Sequence, residues 1–203
     1  MAPEAFSERA SGRLFHTPSG YWAFLPHPLE PVIETDMALV RTLSAADRAL
    51  SELAGIARTL PNLHLLINPF IRREAVLSSR IEGTQASLSD LFFFEAAADE
   101  AEAPDVGEVA NYVQALEHGL SRLKDLPLSL RLLREIHERL MTGVRGESQS
   151  PGEFRHSQNW IGPPGRILID ATYVPPPPDE MTRALGELEQ YLHTPSGLPP
   201  LIR

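Results

Sequence analysis

Apolar residues recur every three or four positions through most of the chain. That period sets several helices in sequence. From Asp36 to Leu60, the residues Leu39, Leu43, Ala46, Leu50, Leu53 and Ala57 fall on one face. Thr35 or Asp36 can cap that helix, and Pro61-Asn62 ends it because proline cannot extend the hydrogen-bond ladder. A second helix is predicted from about Pro69, with Phe70, Ala75, Leu77 and Ile81 inward and Gly83 stopping it in a left-handed conformation. A third begins near Ser87, where Asp90 completes a capping-box pattern, and carries Leu88, Leu91, Phe92 and Phe94. Val109, Tyr112, Val113, Leu116, Leu120 and Leu123 form the stripe of a fourth, broken by Pro127. Ser129 caps a fifth with Leu130, Leu133, Ile136 and Leu140 inward, ended by Gly143 and Gly146. Asp179 is placed to cap a last full helix carrying Met181, Leu185, Leu188 and Leu192.

The remaining segments break this period. Residues 1–35 are rich in proline, glycine and aromatics and read as an extended arm that packs through Tyr21, Trp22, Phe24 and Leu25. Residues 144–178 are dense in glycine and proline. Within them RILI and TYV are short and β-prone, Pro163-Pro164-Gly165 is a turn signal, and a β-hairpin or extended flap is predicted. Pro175 to Pro178 favour a polyproline strut. The fold class is all-α with one small β-hairpin, and there is no internal repeat. Three regions follow: an arm over 1–35, a helical domain over 36–104 and a further region over 105–203.

Composition narrows the function. Hydrophobic residues make up 42% of the 203, enough for a core and too many for a disordered chain. With no cysteine, disulfides and thiolate-ligated zinc are excluded, and a cytoplasmic location is expected. The first residues carry no apolar signal core, and no apolar run approaches the roughly 20 residues that span a bilayer, so no membrane partner is expected. The net charge of −9 is concentrated: Glu95, Asp99, Glu100, Glu102, Asp105 and Glu108 lie together without a Lys or Arg, and the rest of the chain carries only −3. That stretch reads as a solvated linker. With no basic patch, nucleic-acid binding is disfavoured.

Generic catalytic motifs are missing. The chain has no GxxxxGK[ST] phosphate loop, no GxGxxG after a strand, no GxSxG elbow, and no two of its seven histidines at the i, i+4 spacing of a helical zinc site. Glu82 sits at a helix C-terminus, where the exposed carbonyls disfavour a carboxylate by roughly 0.3–1 kcal/mol. Taken alone it is a surface glutamate paired with Arg80 or Arg73.

The segment Arg73-Glu-Ala-Val-Leu-Ser-Ser-Arg-Ile-Glu-Gly-Thr84 adds a second reading. EAVLSSRIEGT resembles the EA-x-x-SS-x-IEGT signature of the N-terminal domain that precedes the catalytic domain of the Fic family. Within it, Ser78, Glu82 and Gly83 match the inhibitory motif [ST]-x-x-x-E-[GN]. Further blocks resemble the family in order: LREIHERLM-TGVRG…PGEFRHSQNWIG the entrance to the Fic core, and ATYVPPPPDEMTRALGELEQYLH the flap and its following helix. The resemblance runs from about Gly20 onward. It implies a helical Fic/DOC N-terminal domain with the inhibitory helix over 36–104 and an incomplete Fic core over 105–203.

It also implies a function. Members of the family transfer AMP from ATP, with magnesium, to a Ser, Thr or Tyr hydroxyl of a target protein. Glu82 would compete with the ATP γ-phosphate for a motif arginine, a charge-assisted pairing strong enough to act as a brake. Arg166, Ile167, Leu168 and Tyr173 fall in the flap. They would either align a target segment by strand addition or form a structural hairpin over the core. The family's catalytic motif, HPFx[DE]GNGRxxR, occurs nowhere in these 203 residues, so no catalytic residue is assigned and the chain is expected to be inactive as it stands, a fragment or a natural truncation. The alternative is an antitoxin-like module that supplies Glu82 to a Fic core in trans. An exposed apolar surface, and with it a homodimer or a protein partner, is expected where a core helix is missing.

Overall fold

The computed structural model describes residue 6 and residues 11–29, 33–96 and 104–203. Six α-helices and one two-stranded hairpin appear among them, and the mostly helical class expected from the periodicity holds. No helix among the described residues is long and apolar enough to cross a membrane. The chain divides into two compact units, 33–153 with 196–203, and 1–32 with 154–195.

The first unit is built from five helices. α1 (Met37–Ala57) is capped by Asp36, whose Oδ1 accepts from the Leu39 N–H at 2.7 Å. It buries no residue fully: along its apolar stripe Leu39, Leu43, Ala46 and Ala57 are half-buried, while Leu50 and Leu53 are exposed. α2 (His64–Ile81) begins five residues earlier than Pro69 predicts. Proline lacks only the N–H that would reach the Leu65 carbonyl, and Leu65 is exposed, so water can satisfy that oxygen. Its buried face is Ala75, Val76 and Ser79, while Phe70, Leu77 and Ile81 point outward. The predicted set mixed two faces of one helix.

α3 (Leu88–Ala96) opens on the expected capping box: the Ser87 N–H donates to Asp90 Oδ2 at 2.9 Å and the Asp90 N–H to Ser87 Oγ at 3.2 Å. These bonds hold the Asp90 carboxyl below its ordinary pKa. Leu91 is buried and Phe92 is exposed. α4 (Pro104–Arg122) starts at the proline assigned to the acidic linker, since proline suits a first helical position. Of that linker, residues 97–103 lie outside the described residues. α5 (Leu130–Leu140) is capped by Ser129 as predicted, but Leu132 is its buried residue and Leu133 is exposed.

Ala75, Val76, Ala86, Leu91, Val106, Val109, Ala110 and Val113 form the core shared by α2, α3 and α4. Arg72 Nε donates to Glu95 Oε2 at 2.7 Å and ties α2 to α3, which raises the Arg72 pKa. α4 and α5 approach closely at Gly119, where a Cβ would lie 2.7 Å from Ile136 Cδ1. Arg122 and Arg131 both donate to Glu135 across and along this pair.

The second unit holds the hairpin. β1 (Gly12–His16) pairs antiparallel with β2 (Trp22–Pro26), so the arm read as merely extended folds on itself. Alternation buries Ala23 and Leu25, and the Phe24 N–H donates to the Val174 carbonyl at 2.9 Å. The hairpin predicted from RILI and TYV does not form. Leu168–Asp170 is a 3-10 turn, and a single antiparallel bridge joins Ile161 to Tyr173. The β-branched residues there lack a partner strand, and the turn buries Leu168 partly against Ala23, Ala171 and Val174 instead. α6 (Pro178–His193) starts on the last of the four prolines. Asp179 falls inside its first turn, so it favours the helix dipole without acting as the cap.

Candidate functional site

The end of α2 positions the site. Gly83 has φ +98°, and the turn is a Schellman motif: the Gly83 N–H donates to the Arg80 carbonyl at 3.1 Å and the Thr84 N–H to the Ser79 carbonyl at 3.2 Å. This closure places Glu82 at the helix cap and turns Thr84 inward, where it is 2% exposed. The chain beyond is anchored by the Gln85 N–H donating to Asp105 Oδ2 at 2.7 Å.

Glu82 is exposed, and its carboxylate has no hydrogen-bond or ion-pair partner among the described residues. The pairing with Arg80 or Arg73 that a surface glutamate would make is not formed. Ser78 makes its bond one turn back, donating Oγ–H to Glu74 Oε1 at 2.6 Å.

Ser78 and Glu82 line a cavity of about 440 Å³, together with Thr84, Glu108, Tyr112 and Arg145. Leu140, Met141 and Val144 give it an apolar wall. Glu108 and Arg145 pair across it at 3.4 Å. The Thr84 hydroxyl is buried with no hydrogen-bond partner among the described residues.

The wall after α5 is fastened by three side chains. His137 Nδ1 accepts from the Gly152 N–H at 2.9 Å. Arg134 Nε donates to the Gly152 carbonyl at 2.6 Å, and its guanidinium also pairs with Glu153. Asn111 Nδ2 donates to the Leu140 and Thr142 carbonyls at 3.1 and 2.6 Å. Val144 and Arg145 are thereby held over the end of α2.

Of the residues singled out from sequence, Ser78 and Glu82 share this cavity and Gly83 makes the turn that orients them. Thr84 lies in the quoted signature, but its burial was not foreseen. Glu108 and Arg145 are 37 positions apart and carry no motif, so only folding brings them together.

Arg166, Ile167, Leu168 and Tyr173 belong to the other unit. Arg166 and Ile167 are exposed, and Leu168 packs on that unit's core. The Tyr173 ring lies 6.0 Å from that of Phe24, and burial raises the pKa of its hydroxyl. Arg155, in the same unit, donates to the Ser157 carbonyl at 2.9 Å and to the Pro176 carbonyl, and burial lowers its pKa.

Among the described residues, no group of three or more His, Asp or Glu side chains is placed to hold a metal ion. Residues 40–121 match the family model described as Fic/DOC family N-terminal. The matched segment runs from α1 through α4 and contains Ser78, Glu82, Gly83 and Thr84. No curated protein matches the chain.

Proposed function

This chain carries a Fic/DOC family N-terminal region, and from that premise we propose that it is the regulatory and target-facing part of a protein adenylyltransferase. Glu82 is its brake. The observation that carries the reading is a carboxylate with no partner among the described residues, held by a glycine turn at the rim of a cavity. A carboxylate at a helix C-terminus gains most from a cation, and a guanidinium fork offers two parallel charge-assisted bonds. The cation implied by the resemblance is an arginine of the catalytic motif.

ATP and magnesium belong to the complete family member, and the donor set of this cavity does not suit them. Glu82 and Glu108 would repel a triphosphate, and Arg145 is already engaged by Glu108. The chain is therefore given no step in the nucleotide chemistry. Its target is a cytoplasmic protein offering a Ser, Thr or Tyr hydroxyl. With the strand edge around RILI unformed, the target-facing role rests on the exposed Arg166 and Ile167 and on Ile169 beside them.

The test joins this chain to a catalytic Fic core and measures AMP transfer. Glu82→Gly raises the rate roughly tenfold or more, because a hydrogen bond to a charged group contributes about 1.5–3 kcal/mol. Equal rates for variant and parent would sink the reading.

A further inference from the structure

The geometry points to the cavity at the end of α2 as a binding site for a small organic monocation, a guanidinium carried on an apolar stem. A ligand seated there takes the Glu82 carboxylate from the catalytic-motif arginine and so releases the brake. The release rests on the brake reading; the binding does not.

Charge comes first. Glu82, Glu108 and Arg145 line the cavity. Arg145 pairs with Glu108 at 3.4 Å, and Glu82 has no partner among the described residues. Two carboxylates against one guanidinium leave a net charge of −1, which a single positive charge balances. An anion is repelled. A metal ion lacks ligands, because among the described residues no three His, Asp or Glu side chains are grouped to hold one.

The walls select an organic cation. Leu140, Met141 and Val144 form an apolar side, which favours a hydrocarbon stem and gives nothing to a hydrated ion. At about 440 Å³ the space is of the size that small-molecule sites have.

Hydrogen bonding selects guanidinium over ammonium. The planar fork matches both oxygens of one carboxylate and still has N–H donors to spare. Thr84 follows Glu82 by two residues in the same turn and also lines the cavity. Its buried hydroxyl has no partner among the described residues, which is costly to the free protein. A donor brought by the ligand offsets that cost.

Calorimetric titration of the full chain with n-butylguanidinium is the test. Saturable binding is expected. Glu82→Gln weakens it by about tenfold or more, the loss of a charge-assisted pair. Glu108→Gln weakens it too, because Arg145 is then left over to balance Glu82. Arg145→Gln tightens it, because Glu108 then adds an unbalanced negative charge. Thr84→Val raises the Tm of the free chain and weakens binding, a combination that a purely structural threonine does not give. n-Butylammonium, with the same stem and charge, binds more weakly, and so does the guanidinium ion without a stem.

A parent chain that does not bind the probe overturns the proposal, and so does parent-strength binding in Glu82→Gln. Unchanged affinity in both Glu108→Gln and Arg145→Gln overturns the charge balance behind it. Equal affinity for the bare guanidinium ion means a surface ion pair and no site. In the chain joined to a Fic core, n-butylguanidinium is expected to raise AMP transfer by the parent and not by Glu82→Gly. Binding without that rise overturns the release. Binding together with a Glu82→Gly rate equal to the parent's overturns the brake and leaves the site standing.

Discussion

The Ser78 hydroxyl donates to Glu74 at 2.6 Å and leaves Glu82, four residues further on, without a partner among the described residues. The serine steadies the helix that carries the glutamate and does not hold its carboxylate. Ser78→Ala is therefore expected to lower stability by less than about 1 kcal/mol, the size of one exposed hydrogen bond. In a protein joined to a Fic core, adding Ser78→Ala to Glu82→Gly leaves the raised AMP-transfer rate unchanged. A Ser78→Ala variant that by itself reaches the Glu82→Gly rate would place the serine in the brake.

Gly83 makes the turn at φ +98°, and a Cβ added there would meet nothing within 4 Å. The penalty of a substitution is purely one of backbone. Gly83→Ala is expected to lower stability by about 1–2 kcal/mol, measured by urea unfolding. Gly83→Asn, which tolerates the left-handed region better, loses less. Equal losses would mean that packing, not backbone conformation, requires the glycine.

Glu135 accepts from Arg122 and Arg131, and chiefly the Arg122 bond lowers its pKa from 4.5 to about 2. The ionised form is thus favoured in the folded state. Its contribution is fully present above about pH 4.5 and is lost as the pH falls toward 2. The Tm of the parent is expected to fall across that window more steeply than that of Glu135→Gln. Parallel curves would show that the carboxylate gives α4 and α5 no pH-dependent stability.

Arg155 bridges the carbonyls of Ser157 and Pro176 through two different nitrogens. A lysine ammonium lacks that fork, so Arg155→Lys is expected to lower stability by about 1–3 kcal/mol despite keeping the charge. Thermal unfolding of the variant beside Arg155→Ala decides the point. A lysine variant as stable as the parent would mean that charge alone suffices there.

Helix caps were legible because they act over three or four residues. Asp36, Ser87 with Asp90, Ser129 and Gly83 do what their local pattern predicts. Buried faces were legible only in part. Val109 and Val113 are buried as the stripe predicts, but Leu133, Phe70 and Ile81 share their helices' periodicity and face water. Which side of a helix is covered depends on the neighbours it meets. The β-prone RILI fails for the same reason: a strand needs a partner edge, and the hairpin forms instead between Gly12–His16 and Trp22–Pro26.

The site divides in the same way. A local signature was enough to single out Ser78, Glu82 and Gly83, because a helix end and its stop signal are written in consecutive residues. The cavity beside them was not readable. The Glu108–Arg145 pair, the buried Thr84 hydroxyl and the His137–Gly152 tether all join residues distant in sequence or depend on burial.

By itself the sequence determined the helices, their caps and the motif at the end of α2, since hydrogen bonding within a turn and the 3.6-residue period are local properties. Only the tertiary structure decided that Glu82 would stand over a cavity with no partner among the described residues, and that α1 would half-bury its stripe at Leu39 and Leu43 while Leu50 and Leu53 stay exposed. Both are outcomes of which surfaces the rest of the chain reaches, and no local pattern encodes that.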